Sequence, residues 1–307
     1  MTAESTTRCG LIAIVGAPNV GKSTLVNFLV GAKVSIVSPK VQTTRTRVLG
    51  IRMEGNVQLI FVDTPGIFQP RRRLDRAMVA AAWDGAAHAD AIVLLVDSAK
   101  GLDADTRRII DGIKRQAAEG RGAREVILAL NKVDRVKKPR LLKLAAALDE
   151  ESLFTETFMI SATTGDGVAD LMAYLAARVP EGPWLFPEDQ ISDMPQRLLA
   201  AEITREKLYL QLRQELPYAA TVESESWREN EDGSIRIDQV VYVERPTQKS
   251  IVLGKGGARI KSLGEAARKE LEEIFGCRVH LFLFVKVRQH WGEDRERYRD
   301  WGLDFDA

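Results

Sequence analysis

Several short runs in the first half of the chain carry the residue types that hold a phosphorylated nucleotide. Residues 16–23 read GAPNVGKS and fit the pattern G-x-x-x-x-G-K-[ST]. Glycines let a backbone close around phosphate oxygens with its N–H groups pointing inward. In such a loop Lys22 reaches the β- and γ-phosphates and the Ser23 hydroxyl binds Mg2+. The whole run of Gly16, Ala17, Pro18, Asn19, Val20, Gly21, Lys22 and Ser23, with Thr24 behind it, is expected to wrap the nucleotide. Residues 63–66 read DTPG, directly after an apolar run. Asp63 can hold Mg2+ through water, and the Gly66 N–H can bond the γ-phosphate, with Thr64, Pro65 and Ile67 in the same loop. Taken alone, DTPG reads first as a turn, since Pro-Gly is a strong turn pair. Residues 131–134 read NKVD. A carboxylate at Asp134 can accept two parallel hydrogen bonds from guanine N1–H and its exocyclic amine, a donor pair that adenine lacks. Asn131 would fix that loop and contact the base, and the stem of Lys132 would cover the ring. Residues 160–162 read ISA, where Ser161 sits beside an Ala162 N–H that would approach guanine O6.

These loops need a frame. Residues 11–15, 59–62, 91–96 and 126–130 are short apolar runs rich in β-branched residues and predict buried strands. Helix-period segments lie between them. The clearest is Val168, Leu171, Met172, Leu175 and Val179. Strands alternating with helices predict an α/β domain, a mostly parallel sheet with helices on both faces. Residues 48–54 and 57–63 flank Gly55-Asn56, so one edge strand is expected to run antiparallel through a hairpin. Each of the four motifs falls at the end of a predicted strand.

Residues 180–195 hold four prolines and four acidic residues and predict a linker. Beyond it the pattern reads α-β-β-α-α-β: helical 196–215, strand-like 218–228 and 235–244, two helical stretches, then a strand at 279–287. The two helices flank Gly254-Lys255-Gly256-Gly257, which fits the GXXG loop of an α+β, type II KH domain. Glycines at both ends admit a sugar-phosphate backbone, and Lys255 adds charge. Ile251 and Ile260, with Val252, are candidates to line a groove for bases, and Arg259 and Lys261 to add charge beside it. Trp291, Tyr298 and Trp301 either cap the domain core or stack on bases.

Composition narrows the classes. The chain has 307 residues, 45% hydrophobic and 28% charged, an ordinary globular balance that argues two domains. No apolar run is long enough to span a bilayer. Residues 1–9 form a polar tail without the apolar core of a secretory signal, so a cytoplasmic location is expected. Two cysteines and three histidines, all scattered, offer no disulfide framework or metal cluster. Residues 181–307 carry 19 basic and 24 acidic side chains, which argues against a polyanion partner in bulk. Residues 245–288 within them carry 10 and 4, and screening makes the local balance decisive.

The motifs GAPNVGKS, DTPG, NKVD and ISA, with QTTRT at 42–46 between the first two, resemble those of the Era family of GTPases, as does a GTPase domain followed by a KH domain. The resemblance runs from residue 10 to about 301. It implies domains at 10–179 and 196–307, the second including a C-terminal tail, joined by the linker at 180–195. It implies that Thr44 binds Mg2+ and senses the γ-phosphate, with Thr43 as the alternative. Lys22, Thr44 and Gly66 would then carry the hydrolysis of GTP to GDP. Many GTPases place a water-orienting glutamine where this chain has Ile67. The resemblance implies slow turnover stimulated by K+, held partly by Asn19. It further implies a monomer that binds the 3′ end of small-subunit ribosomal RNA and the 30S precursor, with peripheral association with the inner membrane. Two other readings stay open: an RNA-binding protein with a purely structural nucleotide site, and a membrane-surface GTPase with a degenerate KH-like tail.

Overall fold

The computed structural model describes residues 6–121, 125–212 and 216–307. They form two compact units. The first comprises residues 6–35, 44–121, 125–193 and 298–307; the second comprises residues 36–43, 194–212 and 216–297.

The first unit is a six-stranded sheet in the order β2-β3-β1-β4-β5-β6. Its strands are β1 (Arg8–Val15), β2 (Val48–Glu54), β3 (Val57–Asp63), β4 (Ala91–Asp97), β5 (Glu125–Asn131) and β6 (Glu156–Met159). Only β2 runs antiparallel, paired to β3 across the hairpin predicted at Gly55-Asn56. The intervening helices are α1 (Lys22–Val30), α2 (Arg73–Ala87), α3 (Ala104–Ala118), α4 (Lys138–Asp149) and α5 (Val168–Ala176). Every residue of β3 and β4 is buried, as expected of strands covered on both faces. Chain order reverses around β1, which pairs with β3 on one side and β4 on the other. Ligands of open α/β sheets bind beyond the carboxyl ends of the strands at such a reversal, and the first phosphate-loop motif follows β1 there.

Three stretches depart from the sequence-based boundaries. Arg8 and Cys9, expected in a tail, are the first residues of β1 and pair with Val57 and Gln58. The Cys9 N–H also donates to Pro180 O at 3.1 Å, and Arg8 forms an isolated antiparallel bridge with Glu181. The predicted linker does not hang free. Ile51 N–H donates to Ile191 O at 2.9 Å, Leu49 N–H to Asp193 Oδ1 at 3.0 Å and Gln58 Nε2 to Phe186 O at 2.8 Å, so 180–193 is laced to the first unit. The C-terminal residues from Tyr298 belong to the first unit as well. Tyr298 and Leu303 are buried with Ala77 and Met78 of α2, and Phe305 packs beside them.

The second unit is a three-stranded sheet, β7 (Ala220–Glu229), β8 (Ile235–Val243) and β9 (Val279–Val287), in that order. β7 and β8 are antiparallel and β8 and β9 parallel. Helices α6 (Gln196–Gln211), α7 (Pro246–Leu253) and α8 (Ala258–Phe275) pack against it, and α9 (Arg295–Asp300) follows β9. The helix expected to reach 215 ends at Gln211; residues 213–215 lie outside the described residues. The core joins Leu208 and Tyr209 of α6, and Leu212 just after it, with Val222, Val241, Val243, Leu263 and Val285. Trp291 is buried, its Nε1 donating to Ala219 O at 3.1 Å, and Tyr298 is buried in the first unit, so neither presents a face to a base.

Candidate functional site

The phosphate loop is shaped by close approaches that a side chain would block. A Cβ at Gly16 would lie 2.6 Å from the Leu95 carbonyl oxygen. Gly21 has φ +105°, and a Cβ there would lie 2.5 Å from Asn131 Nδ2. Gly66 brings the DTPG loop against Pro18, and the Ile67 N–H donates to Gly16 O at 3.1 Å. Thr64 Oγ1 donates to Ile14 O at 2.8 Å, which ties the same loop to β1. The Ile67 side chain is buried.

Lys22 is buried at the start of α1. Its Nζ donates to Gly16 O at 3.2 Å and Ala17 O at 3.1 Å. Burial pulls its pKa down to about 8, and the Asp63 carboxylate opposes that shift. Asp63 is fully buried at the end of β3, and neither carboxylate oxygen has a hydrogen-bond partner. Burial pushes its pKa up, with Ser23 and Lys22 pulling the other way. A buried carboxylate left this way is costly unless a cation compensates it. Ser23 Oγ and Thr44 Oγ1 lie 2.8 Å apart. Two hydroxyls and a carboxylate are hard oxygen donors, and they fit Mg2+. Thr43 is turned elsewhere: its Oγ1 lies 2.6 Å from Ser38 Oγ and 2.7 Å from Lys40 O.

The base end is stapled by Asn131. Its Nδ2 donates to Val20 O at 2.7 Å, and its Oδ1 accepts the Ala162 N–H at 2.9 Å. One buried amide thus joins the phosphate loop, the NKVD loop and the ISA loop. Lys132 has φ +66°, and its Nζ donates to Asn19 O and Asp97 Oδ2, both at 2.7 Å. Burial alone would raise the pKa of Asp97; the Lys132 ammonium and the Ala99 N–H bring it below the ordinary value. Asp134 stays exposed on the short turn 133–135. Ser161 is buried and its Oγ accepts the Thr164 N–H at 3.3 Å. The sequence reading missed Asp97. Its signal was a carboxylate closing the apolar run 91–96, the same signal that singled out Asp63.

In the second unit Gly254, Gly256 and Gly257 all have positive φ, 72°, 60° and 79°. A Cβ at Gly254 would lie 2.8 Å from Arg259 Cβ, whereas Gly256 and Gly257 face open space. Lys255, Arg259 and Lys261 are exposed, and Arg259 donates to Ile251 O at 2.7 Å. Ile251 is 48% exposed, and Ile260 is partly buried against the core. Val252 is fully buried and belongs to the core rather than to a groove. Phe282 and Phe284 alternate outward on β9 and are exposed.

Fold and site place the first unit among the P-loop GTPases and the second among KH domains. Residues 11–132 match the family described as 50S ribosome-binding GTPase, and residues 215–292 match the KH domain family. Over 299 residues the chain is 61% identical to GTPase Era of Sinorhizobium medicae, covering 97% of this chain and 94% of that one. It is 60% identical to GTPase Era of Bradyrhizobium sp. (strain BTAi1) over 99% of each chain. A crystal structure of Era with MgGDPNP and nucleotides 1506–1542 of 16S ribosomal RNA superposes with a TM-score of 0.90, at 39% identity over 96% of this chain and 99% of that one. An Aquifex aeolicus Era variant bound to GDP and AlF4− superposes equally well, with a TM-score of 0.90 at 38% identity and the same coverage. The chain belongs to the Era family of GTPases.

Proposed function

We propose that the protein is a GTP-driven switch that binds the 3′ end of small-subunit ribosomal RNA through its KH unit and assists maturation of the 30S subunit. The observation that carries this reading is the Ser23–Thr44–Asp63 cluster beside Lys22, on the same chain as an open GKGG loop. In this reading Ser23 and Thr44 hold Mg2+ directly and Asp63 holds it through water. When bound, the ion bridges β- and γ-phosphate oxygens and neutralises charge that develops as the γ-phosphoryl leaves. Lys22 turns from the Gly16 and Ala17 carbonyls to those phosphates, and the Gly66 N–H donates to the γ-phosphate. Asp134 reads the guanine edge, Lys132 covers the ring, and Ala162 N–H meets O6.

No glutamine follows Gly66, and Ile67 is a packed aliphatic side chain that cannot orient water. In this reading turnover is slow, and Asn19 would help to hold a K+ ion, which would supply positive charge to the phosphates. Equal rates in K+ and Na+ at matched ionic strength would remove that part of the reading. RNA lies over Gly254, Lys255, Gly256 and Gly257, with Arg259 and Lys261 against its phosphates and Ile251 and Ile260 against its bases. The protein acts as a monomer. Any membrane association is peripheral: among the described residues no helix is long and apolar enough to cross a membrane.

The test is the affinity for single-stranded RNA from the 3′ end of small-subunit ribosomal RNA, at one salt concentration, with GDP and then with a non-hydrolysable GTP analogue. Tighter binding with the analogue, lost in Gly254→Asp, is the expected result. Equal binding in both nucleotide states would leave two independent modules and refute the switch.

A further inference from the structure

Arg205 is among the largest fully buried side chains in the molecule, and nothing in the nucleotide or RNA reading uses it. It lies on α6, where its Nε donates to Glu202 Oε1 at 2.7 Å and its guanidinium stacks 5.0 Å from the Tyr209 ring. Its Nη2 donates both to Glu202 Oε2 and to the Thr43 carbonyl oxygen in the segment Ile36–Thr43. Neighbouring α6 residues hold the same segment. Glu206 Oε1 accepts the Val37 N–H at 2.7 Å, and Tyr209 Oη donates to Gln42 O at 3.5 Å. Lys40 Nζ donates to Leu212 O, and Ile36 is buried with Ala200 and Ile203. The side chains of α6 therefore fix main-chain atoms at both ends of a loop that contains no helix or strand.

The next residue after Thr43 is Thr44, whose hydroxyl meets Ser23. A peptide plane is rigid, so fixing the Thr43 carbonyl also fixes the direction of the Thr44 N–H and limits where its side chain can point. We propose that Arg205 is a positioning residue of the GTPase reaction: the helix that opens the KH unit holds the peptide leading into Thr44 and sets where the Thr44 hydroxyl sits. The inference rests on the role given to Thr44 above. It assigns to α6 a part in hydrolysis that no nucleotide-binding motif marks. Charge matters as well as shape, because a guanidinium donating to a carbonyl is stronger than a neutral donor.

The test uses the full chain, two disruptive variants, one conservative variant and a reference. Arg205→Ala removes the donor, and the double variant Arg205→Met with Glu202→Gln removes the ion pair together while keeping volume, which guards against a fold loss caused by an orphaned carboxylate. Melting and RNA binding should stay near wild type in the double variant. Amide exchange across residues 36–44 without nucleotide should quicken by roughly tenfold or more, the loss of one charged hydrogen bond. The kcat for GTP should fall about tenfold with KM for GTP within about twofold, and half-maximal Mg2+ should rise. Arg205→Lys, which keeps the charge, should recover part of kcat. Thr44→Ala is the reference. If Thr44→Ala slows hydrolysis while both Arg205 variants leave exchange and kcat unchanged, the role of Arg205 is overturned. If Thr44→Ala itself has no effect, the role given to Thr44 fails, and with it the basis for Arg205.

Discussion

Replacing Asn131 tests whether one buried amide holds the nucleotide site together. Asn131→Ala removes the donor to Val20 O at 2.7 Å and the acceptor of the Ala162 N–H at 2.9 Å. Val20, Asn131 and Ala162 are all buried, so water does not readily replace either bond. Each buried polar group left unpaired costs about 1–3 kcal/mol. Both together destabilise the first unit by about 2–6 kcal/mol. For a domain of this size that lowers the melting temperature by about 5–15 °C. Asn131→Asp is the sharper probe. Its carboxylate can still accept the Ala162 N–H, but it sets a negative oxygen against the Val20 carbonyl in place of an N–H. It should therefore cost more than alanine, although it is closer in shape. The assay is thermal melting of nucleotide-free protein followed by fluorescent GDP titration, where affinity should fall in the same order. A melting temperature for Asn131→Ala within about 1 °C of wild type would refute the staple, as would an aspartate variant more stable than the alanine.

Three further outcomes follow from the same geometry. The Lys22 ammonium, about 8 in the folded nucleotide-free protein against an ordinary 10.5, binds fewer protons folded than unfolded between those values. Stability should therefore rise with pH across that window, by up to about 3 kcal/mol, and Lys22→Met should flatten the slope; parallel pH profiles for the two proteins would contradict it. Gly254→Asp places a side chain at φ +72° and against Arg259 Cβ, so RNA affinity should drop by at least about tenfold while the GTPase rate without RNA stays within about twofold. Leu303→Ala opens a void beside Tyr298, Ala77 and Met78, and should destabilise the first unit by about 2–4 kcal/mol; an unchanged melt would show that the C-terminal residues are not part of that core.

The four nucleotide motifs were legible because phosphate and base recognition depend on local backbone geometry. A glycine that must reach φ +105° at position 21, or a carboxylate that must close a strand at Asp63, leaves its mark within a few residues. The sheet was legible for a similar reason: buried parallel strands are short apolar runs, and each motif marks the carboxyl end of one. What the sequence hid is long-range. Nothing about Ile36–Thr43 has a period, and its partners lie on α6, more than 150 positions away. Tyr298, Leu303 and Phe305 are too few to form a helical stripe, and their partners on α2 lie as distant. Thr43 and Thr44 are adjacent and chemically identical, so only geometry separates the one facing Ser23 from the one facing Ser38.

The division between the compact units falls on the peptide bond that joins Thr43 to Thr44. Thr43 counts with the second unit and Thr44 with the first. A loop whose two ends answered to one unit could be ordered by nucleotide alone. Here the stretch before Thr44 is held by Arg205, Glu206 and Tyr209, while Thr44 itself meets Ser23. In the roles proposed for Thr44 and Arg205, free energy that the γ-phosphate spends on ordering Thr44 would be shared with the contacts on α6, because the connecting peptide cannot stretch. That sharing is reciprocal by linkage: a ligand that favours one arrangement of α6 changes nucleotide affinity by the factor through which nucleotide changes its own. The coupling so proposed would need no further conduit than this peptide, and its size would be bounded by the few hydrogen bonds that hold it.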